Sequence, residues 1–394
     1  MRNDKSEPEM PAEDSGIPAN AHDTVVLGPN GVAPVGDKAS PFPEQPSQET
    51  TTRNETQNTV NLTAGGNVSR RISLTRQKYI SLTESKRNLR AAQEAAEKDA
   101  YELKEMMARG AEAILYRGTS GAFTYCVKCI RNGWSKFLGG AGSGSGGEKL
   151  ENVKYSTKLR HIRNEFDVAR RLTQESAMPI VRMFALRRVT RFGIEIGYDL
   201  LMEHLAGHDL SDKVLTRVLP MEDKIRVLHQ AAQALDFVHR RKIVHLDIKP
   251  SNFMLVNGQV KLIDFGVSVS RGHHATSVTG TGGYLSPEQI CRDVIDESTD
   301  LFAFGVAFGV FFGGRPLSQP QDTLMSKQGR QEARFQLDNM EQPLLQDIPA
   351  LGDYPDIANL LRRCTIPRRD RRVATCALLM HELQDCALKY GISL

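Results

Sequence analysis

From residue 75 to 107 the chain runs without proline or glycine through Arg, Lys, Glu, Ala and Leu, a composition of high helix propensity. Its apolar residues Leu82, Leu89, Ala92, Ala96, Leu103 and Met107 form a thin stripe at helical spacing, not a sustained heptad. The pattern predicts one long helix that lays its stripe on the domain after it, in preference to a coiled coil. The period then shortens. YCVKCI (125–130) has the alternating apolar positions of a half-buried strand, helical spacing returns around 157–173, and strand-like stretches continue to Met202. Beyond this point helices dominate, among them 225–238 with Leu228, Ala232 and Leu235 on one core-packing stripe. One hairpin interrupts them near 253–263. Strands early and helices late predict an α+β, bilobal molecule joined near His204, with a cleft between a small β-rich lobe and a larger helical one.

Composition sharpens the outline at both ends. Residues 1–70 hold eight of the eighteen prolines and one aromatic, Phe42, so they bury too little to offset their ordering entropy and read as a disordered tail. GGAGSGSGG at 139–147 reads as an exposed flexible loop. The longest apolar run, 301–312, is twelve residues with two glycines, too short for the roughly 18 to 20 that span a bilayer. No basic, apolar leader is visible at the acidic N-terminus, and an intracellular, cytoplasmic location is expected. The six cysteines are scattered and are expected to be reduced and packed. The formal charge is +4, and outside the acidic tail 46 basic side chains face 37 acidic ones without a clustered stripe, which gives no case for nucleic acid. Ser73 in RRISL is a candidate phosphorylation site, set against the plainer reading of a basic patch opening a helix.

The chemistry lies in HLDIKPSNFMLVNGQVKLIDFG, residues 245–266. Asn257 and Gly258 sit between two apolar runs, the strongest short-range hairpin signal because both tolerate positive φ. With a two-residue turn Val256 faces Gln259, and stepping back puts Asn252 opposite Ile263. Asn252 and Asp264 then emerge together, a carbonyl oxygen beside a carboxylate, which suits Mg²⁺ carrying substrate phosphates. Asp247, in the loop just upstream, can meet an incoming hydroxyl, and Lys249 can neutralise a migrating phosphoryl group.

This segment resembles the catalytic loop and DFG element of the eukaryotic-type Ser/Thr protein kinases. The resemblance implies that Asp247 is the catalytic base, that Lys249 is the lysine usual in the Ser/Thr branch, and that Asn252 and Asp264 hold Mg²⁺. TGTGGYLSPE (279–288) resembles the end of an activation segment, with Thr281 in the Ser/Thr-type position. DLFAFG from Asp300 is similar to the helix that anchors the catalytic loop, and Arg371 or Arg372 is the expected partner of Glu288. The kinase domain is expected over 105–390, with lobes 105–203 and 204–390, after a helical extension at 71–104. Leu246 replaces the arginine usual before the catalytic aspartate, so activity independent of activation-segment phosphorylation is expected.

In the first lobe, GTSG (118–121) lies too close to Lys128 for two strands and a turn. ARGAEAILYR (108–117) is therefore taken as the phosphate-covering hairpin, similar to the GAEA loop of the small atypical kinases associated with the KEOPS complex. Of the usual three glycines only Gly110 remains. Lys128 is the phosphate-binding lysine by resemblance, preferred over Lys136, and Glu165 in RNEFDVARRL is its carboxylate. LLMEHLAGHDL (200–210) resembles the hinge, with Met202 as gatekeeper, Glu203 and Leu205 reading adenine through their backbone, Asp209 at the ribose, and Met254 also at the nucleotide. The resemblance thus implies ATP and Mg²⁺ as cofactors and a protein Ser/Thr hydroxyl as acceptor, with the tail and helix as candidates for partner docking. Its rivals are a pseudokinase scaffold that binds nucleotide weakly and a small-molecule phosphotransferase of the same fold.

Overall fold

In a computed structural model the residues described are 82–134, 153–172, 178–317 and 339–394, with the short stretches 24–26, 59–62, 70–73, 332 and 334–335. Most of the expected tail, the loop at 139–147 and Lys136 lie outside them. Within residues 1–73, β1 (Thr24–Val26), β2 (Thr59–Leu62) and β3 (Arg70–Ser73) are strands; β2 pairs with β3, which puts Ser73 in a strand and not at a helix start.

Helix α1 covers Leu82–Lys98, and Glu102–Arg109 is strand β4. The helix expected to reach Met107, and the extension expected to reach 104, are corrected here. ELKEMMAR has good helix formers, but pairing with β5 (Ile114–Ser120), Leu103 opposite Gly118 and Met106 opposite Tyr116, overrides that preference.

Strands β4, β5, β6 (Phe123–Arg131), β8 (Ile194–Glu203) and β7 (Met183–Arg191) follow one another across an antiparallel sheet, and β1 adds parallel to β7. Residues of β6 alternate between the two faces of this sheet. Tyr125, Val127 and Cys129 meet Ala92 and Ala96 of α1, where the Tyr125 hydroxyl donates to Ala92 O at 2.8 Å. Cys126 and Ile130 join the main core with Ile162 and Leu172 of helix α2 (Tyr155–Leu172). The apolar stripe of α1 is thus used within the chain, as its pattern predicted.

The second lobe is helical: α3 (Lys213–Val218), α4 (Met221–His239), α5 (Pro287–Cys291), α6 (Glu297–Phe311), α7 (Pro355–Cys364) and α8 (Cys376–Lys389). The apolar run at 301–312 lies in α6 and its cap, buried on nearly every side, with Phe304 and Phe308 meeting Phe253 edge to face. Gly305 lets α7 approach, since a Cβ there would lie 2.7 Å from Leu361 O. Small sheets edge the cleft: β9 (His208–Asp209) with β11 (Phe253–Val256) and β12 (Gln259–Leu262), and β10 (Ile243–Val244) with β13 (Val269–Ser270). The lobes are stitched where Val181 N donates to Leu262 O and Leu262 N to Pro179 O, and where Lys261 on β12 reaches Glu203 at the end of β8. The described cysteines are all free. Among the described residues no helix is long and apolar enough to cross a membrane.

Candidate active site

Asn257 (φ 50°) and Gly258 (φ 76°) make the two-residue turn, and the register runs from Val256 opposite Gln259 to Phe253 opposite Leu262. Ile263 N then donates to Asn252 O at 2.9 Å, so Asn252 and Asp264 leave the hairpin at the same end. The loop upstream hangs on Asp300 of α6, which is fully buried. Its carboxylate accepts from His245 N at 2.7 Å and Leu246 N at 2.8 Å, and contacts His239 Nε2 at 2.9 Å. His245 accepts from Asp247 N through Nδ1 at 3.3 Å, so its Nε2 carries the proton and donates to Ile263 O at 3.1 Å. Leu246 (φ 67°) and Asp264 (φ 65°) both hold left-handed backbone, strain that this network fixes.

Asp247 is the centre of the site. Its Oδ1 accepts from Thr281 Oγ1 at 2.6 Å; its Oδ2 accepts from Lys249 Nζ at 2.7 Å and Asn252 Nδ2 at 3.2 Å. Lys249 Nζ also donates to Thr281 Oγ1 at 2.7 Å. The ammonium, hydroxyl and carboxylate form a closed triangle beside the cleft.

Across the cleft, Lys128 on β6 donates to Glu165 on α2 at 2.7 Å and to Asp264 at 3.2 Å. The Lys128 ammonium pulls the Asp264 carboxyl down to about 2, against burial. For Lys128, burial opposes its charge, but Asp264 and Glu165 together outweigh it and raise its pKa. At Glu165 burial dominates and pushes the carboxyl up, with Lys128 opposing and Asp264 adding to the rise. Glu165 is held on the inner face of α2, where Val168, Ala169 and Leu172 are also buried.

The donor set fits a hard cation. Asn252 turns its amide N–H₂ onto Asp247, to O at 2.7 Å and to Oδ2, which leaves its carbonyl oxygen as an acceptor beside the ionised Asp264. Among the described residues no three His, Cys, Asp or Glu side chains gather where they could hold a metal ion by themselves.

In the covering hairpin, Gly110 N donates to Ala113 O at 2.9 Å, so this amide is committed to the turn. A Cβ on Gly110 would meet only Ala113 O at 3.6 Å, so close backbone approach does not demand glycine here. Gly121 (φ 55°) turns β5 into β6. At the hinge Met202 is buried opposite Cys126, and Glu203 spends its carboxylate on Lys261 and its N–H on Arg182 O. Leu205 packs on the core beside it. Asp209 pairs with Met254 across β9 and β11, which brings both to one edge of the cleft, and its Oδ1 accepts from Ser211 N at 2.8 Å.

Three further ties were not visible in the sequence. Asn164, next to Glu165, donates to Phe265 O, Gly266 O and Ser268 O at 2.9–3.1 Å and clamps the loop after Asp264 to α2. Glu112 of the covering hairpin meets His161 of α2 at 2.9 Å. Gln289 donates to Leu246 O at 2.9 Å and Thr279 O at 2.7 Å, while Ser286 caps α5 through it. Glu288 pairs with Arg372 at 2.7 Å, which settles the choice between Arg371 and Arg372. His273 and His274 are exposed, as loop residues should be.

A protein kinase domain model matches residues 147–383, three-fifths of the chain. The chain belongs to the protein kinase family. The zebrafish serine/threonine-protein kinase SBK1 is 34% identical over 195 residues, 46% of this chain and 49% of the relative. An Aurora kinase of Candida glabrata is 30% identical over 209 residues, 52% and 54% of the two chains, and PknB of Mycobacterium leprae is 36% identical over 125 residues, 30% and 20%. The chain spans about half the length, or less, of these kinases. The domain match begins after Lys128, so the case for Lys128 is geometric: it reaches the one buried carboxylate of α2 and the aspartate of the DFG element together.

Proposed function

We propose that the protein is an ATP-dependent serine/threonine kinase that moves the γ-phosphoryl group onto a protein hydroxyl inside the cell, where ATP is supplied. The observation that carries this reading is the convergence of Asp247, Lys249, Thr281, Asn252, Asp264 and Lys128 on one cleft, in a chain of kinase fold. The acceptor hydroxyl displaces Thr281 from Asp247 Oδ1 or shares it, and Asp247 orients the hydroxyl and takes its proton. Lys249, already 2.7 Å from Asp247, offsets charge on the migrating group. Lys128, held by Glu165, takes the α- and β-phosphates. Asn252 and Asp264 would hold Mg²⁺, which when bound neutralises the phosphate oxygens. Met202, Glu203, Leu205, Met254 and Asp209 frame the base and ribose, and Gly110 turns the cover over the phosphates.

The scaffold alternative loses ground because no polar group of this set is missing or turned away, although the cover has a single glycine. A small-molecule phosphotransferase has no use for the Thr281–Glu288 platform. Transfer of labelled phosphate to a degenerate peptide library tests the proposal. Asp264→Ala and Asp247→Asn are each expected to abolish incorporation while the melting temperature stays close to that of the parent. Nucleotide binding without turnover in the parent protein would support the scaffold instead.

A further inference from the structure

A groove of about 430 Å³ opens on the helical lobe, and the charged side chains that line it are all basic. Pro250, next to Lys249, and Tyr284, whose N–H donates to Thr281 O at 3.2 Å, line it on the side of the transfer site. Lys213 and Arg217 of α3 and Lys224 of α4 line it as well, with apolar Phe312 from the end of α6. Among the described residues none of the three cations has an ion-pair partner, while the neighbouring carboxylates are engaged elsewhere. Asp209 holds Ser211; Asp212 caps α3 and meets His208 at 2.8 Å; Glu222 and Asp223 pair with Arg226. Lys224 is half-buried, and burial pushes its pKa down, so its ammonium lacks solvation that an anion would supply.

We propose that this groove is the subsite that selects the protein substrate, receiving an anionic side chain, carboxylate or phosphate, close to the acceptor hydroxyl. The proposal rests on the kinase reading above and names its substrate class. Pro250, which lines the groove, follows Lys249, and Lys249 holds Asp247 at 2.7 Å, so an extended peptide with its hydroxyl at Asp247 brings a flanking residue toward the groove. Three cations around one groove favour an acidic segment and repel a basic one.

Two measurements on the full chain separate this inference from the reading beneath it. Peptide arrays varied at each flanking position are expected to show Asp, Glu or phosphoserine at one position raising kcat/KM roughly tenfold over Lys. The double variant Arg217→Glu/Lys224→Glu is expected to reverse that order, and Lys213→Glu/Arg217→Glu, both exposed, provides a second reversal should the first fail to fold. Phosphoserine favoured over Asp and Glu by a further large factor identifies a phosphate as the natural occupant. Fluorescent peptides of the same series then report binding without transfer. Binding that prefers acidic peptides while no peptide is phosphorylated leaves the subsite standing and removes the kinase reading. Transfer or binding indifferent to flanking charge, or a preference that both reversals leave intact, overturns the subsite and leaves the kinase reading in place.

Discussion

Replacing Gln289 by Leu tests how the activation segment is held without the arginine that would answer a phosphate. Gln289 is 3% exposed and bridges three main-chain groups: it accepts from Ser286 N at 3.0 Å and donates to Leu246 O at 2.9 Å and Thr279 O at 2.7 Å. Close approach at this junction also explains Gly280 (φ 115°), where a Cβ would lie 2.6 Å from Leu246 O. Leu246 itself packs with Val244 and Ile295, and Val267, Val269 and Ala275 close over them. These apolar contacts and one amide join the segment to the residue preceding Asp247, and neither depends on modification. Leucine retains the bulk but leaves the buried Ser286 N–H and Leu246 carbonyl without partners, at about 1–3 kcal/mol each, so a loss of about 2–6 kcal/mol in denaturant melts is expected. Because Leu246 O anchors the peptide leading into Asp247, kcat is expected to fall about tenfold or more, with KM for ATP little changed since none of the hydrogen bonds of Gln289 reaches Lys128 or Asp264. A variant that melts like the parent and keeps its kcat would refute the reasoning.

The same junction predicts that the triple variant Thr276→Ala/Ser277→Ala/Thr279→Ala keeps most of its rate in a steady-state transfer assay; a hundredfold loss, about 2.7 kcal/mol of barrier, contradicts it. Glu288 is 3% exposed; burial pushes its carboxyl up, but Arg372, with Arg369, outweighs this and holds it below the ordinary range. That depression stabilises the fold above the unfolded pKa of about 4.3 and is lost as pH falls through the folded value. Glu288→Gln is therefore expected to cost about 3–5 kcal/mol at pH 7, by stranding the Arg372 charge, with the gap to the parent narrowing in acid melts; a gap independent of pH denies the ion pair its role.

The hairpin that sets the site was legible because its geometry is arithmetic. A two-residue Asn-Gly turn fixes the register, and the register puts Asn252 against Ile263, where the structure has a hydrogen bond. The strand that carries Lys128 was legible through alternation, since the apolar neighbours of Lys128 divide between two faces, each covered by a helix. The end of α1 was not. ELKEMMAR satisfies helix propensity as well as strand pairing, and only β5, contributed from further along the chain, decides between them.

Gln289 and Asn164 were hidden for a different reason, and it bears on how such sites are built. Each acts on main-chain atoms remote in sequence: Gln289 on Leu246, 43 residues away, and Asn164 on residues more than 100 away. Periodicity and local spacing carry no trace of such partners. The groups proposed to react sit within a few residues of one another because loop geometry alone can bring a carboxylate, an amide and an ammonium together. The groups that hold that loop must come from elements able to move relative to it, and so from elsewhere in the chain. A sequence of this family therefore discloses its chemistry before its control: Asp247 is readable from its neighbours, whereas whether Asp247 needs a phosphate to be aligned depends on Leu246 and Gln289, which only the folded chain brings together.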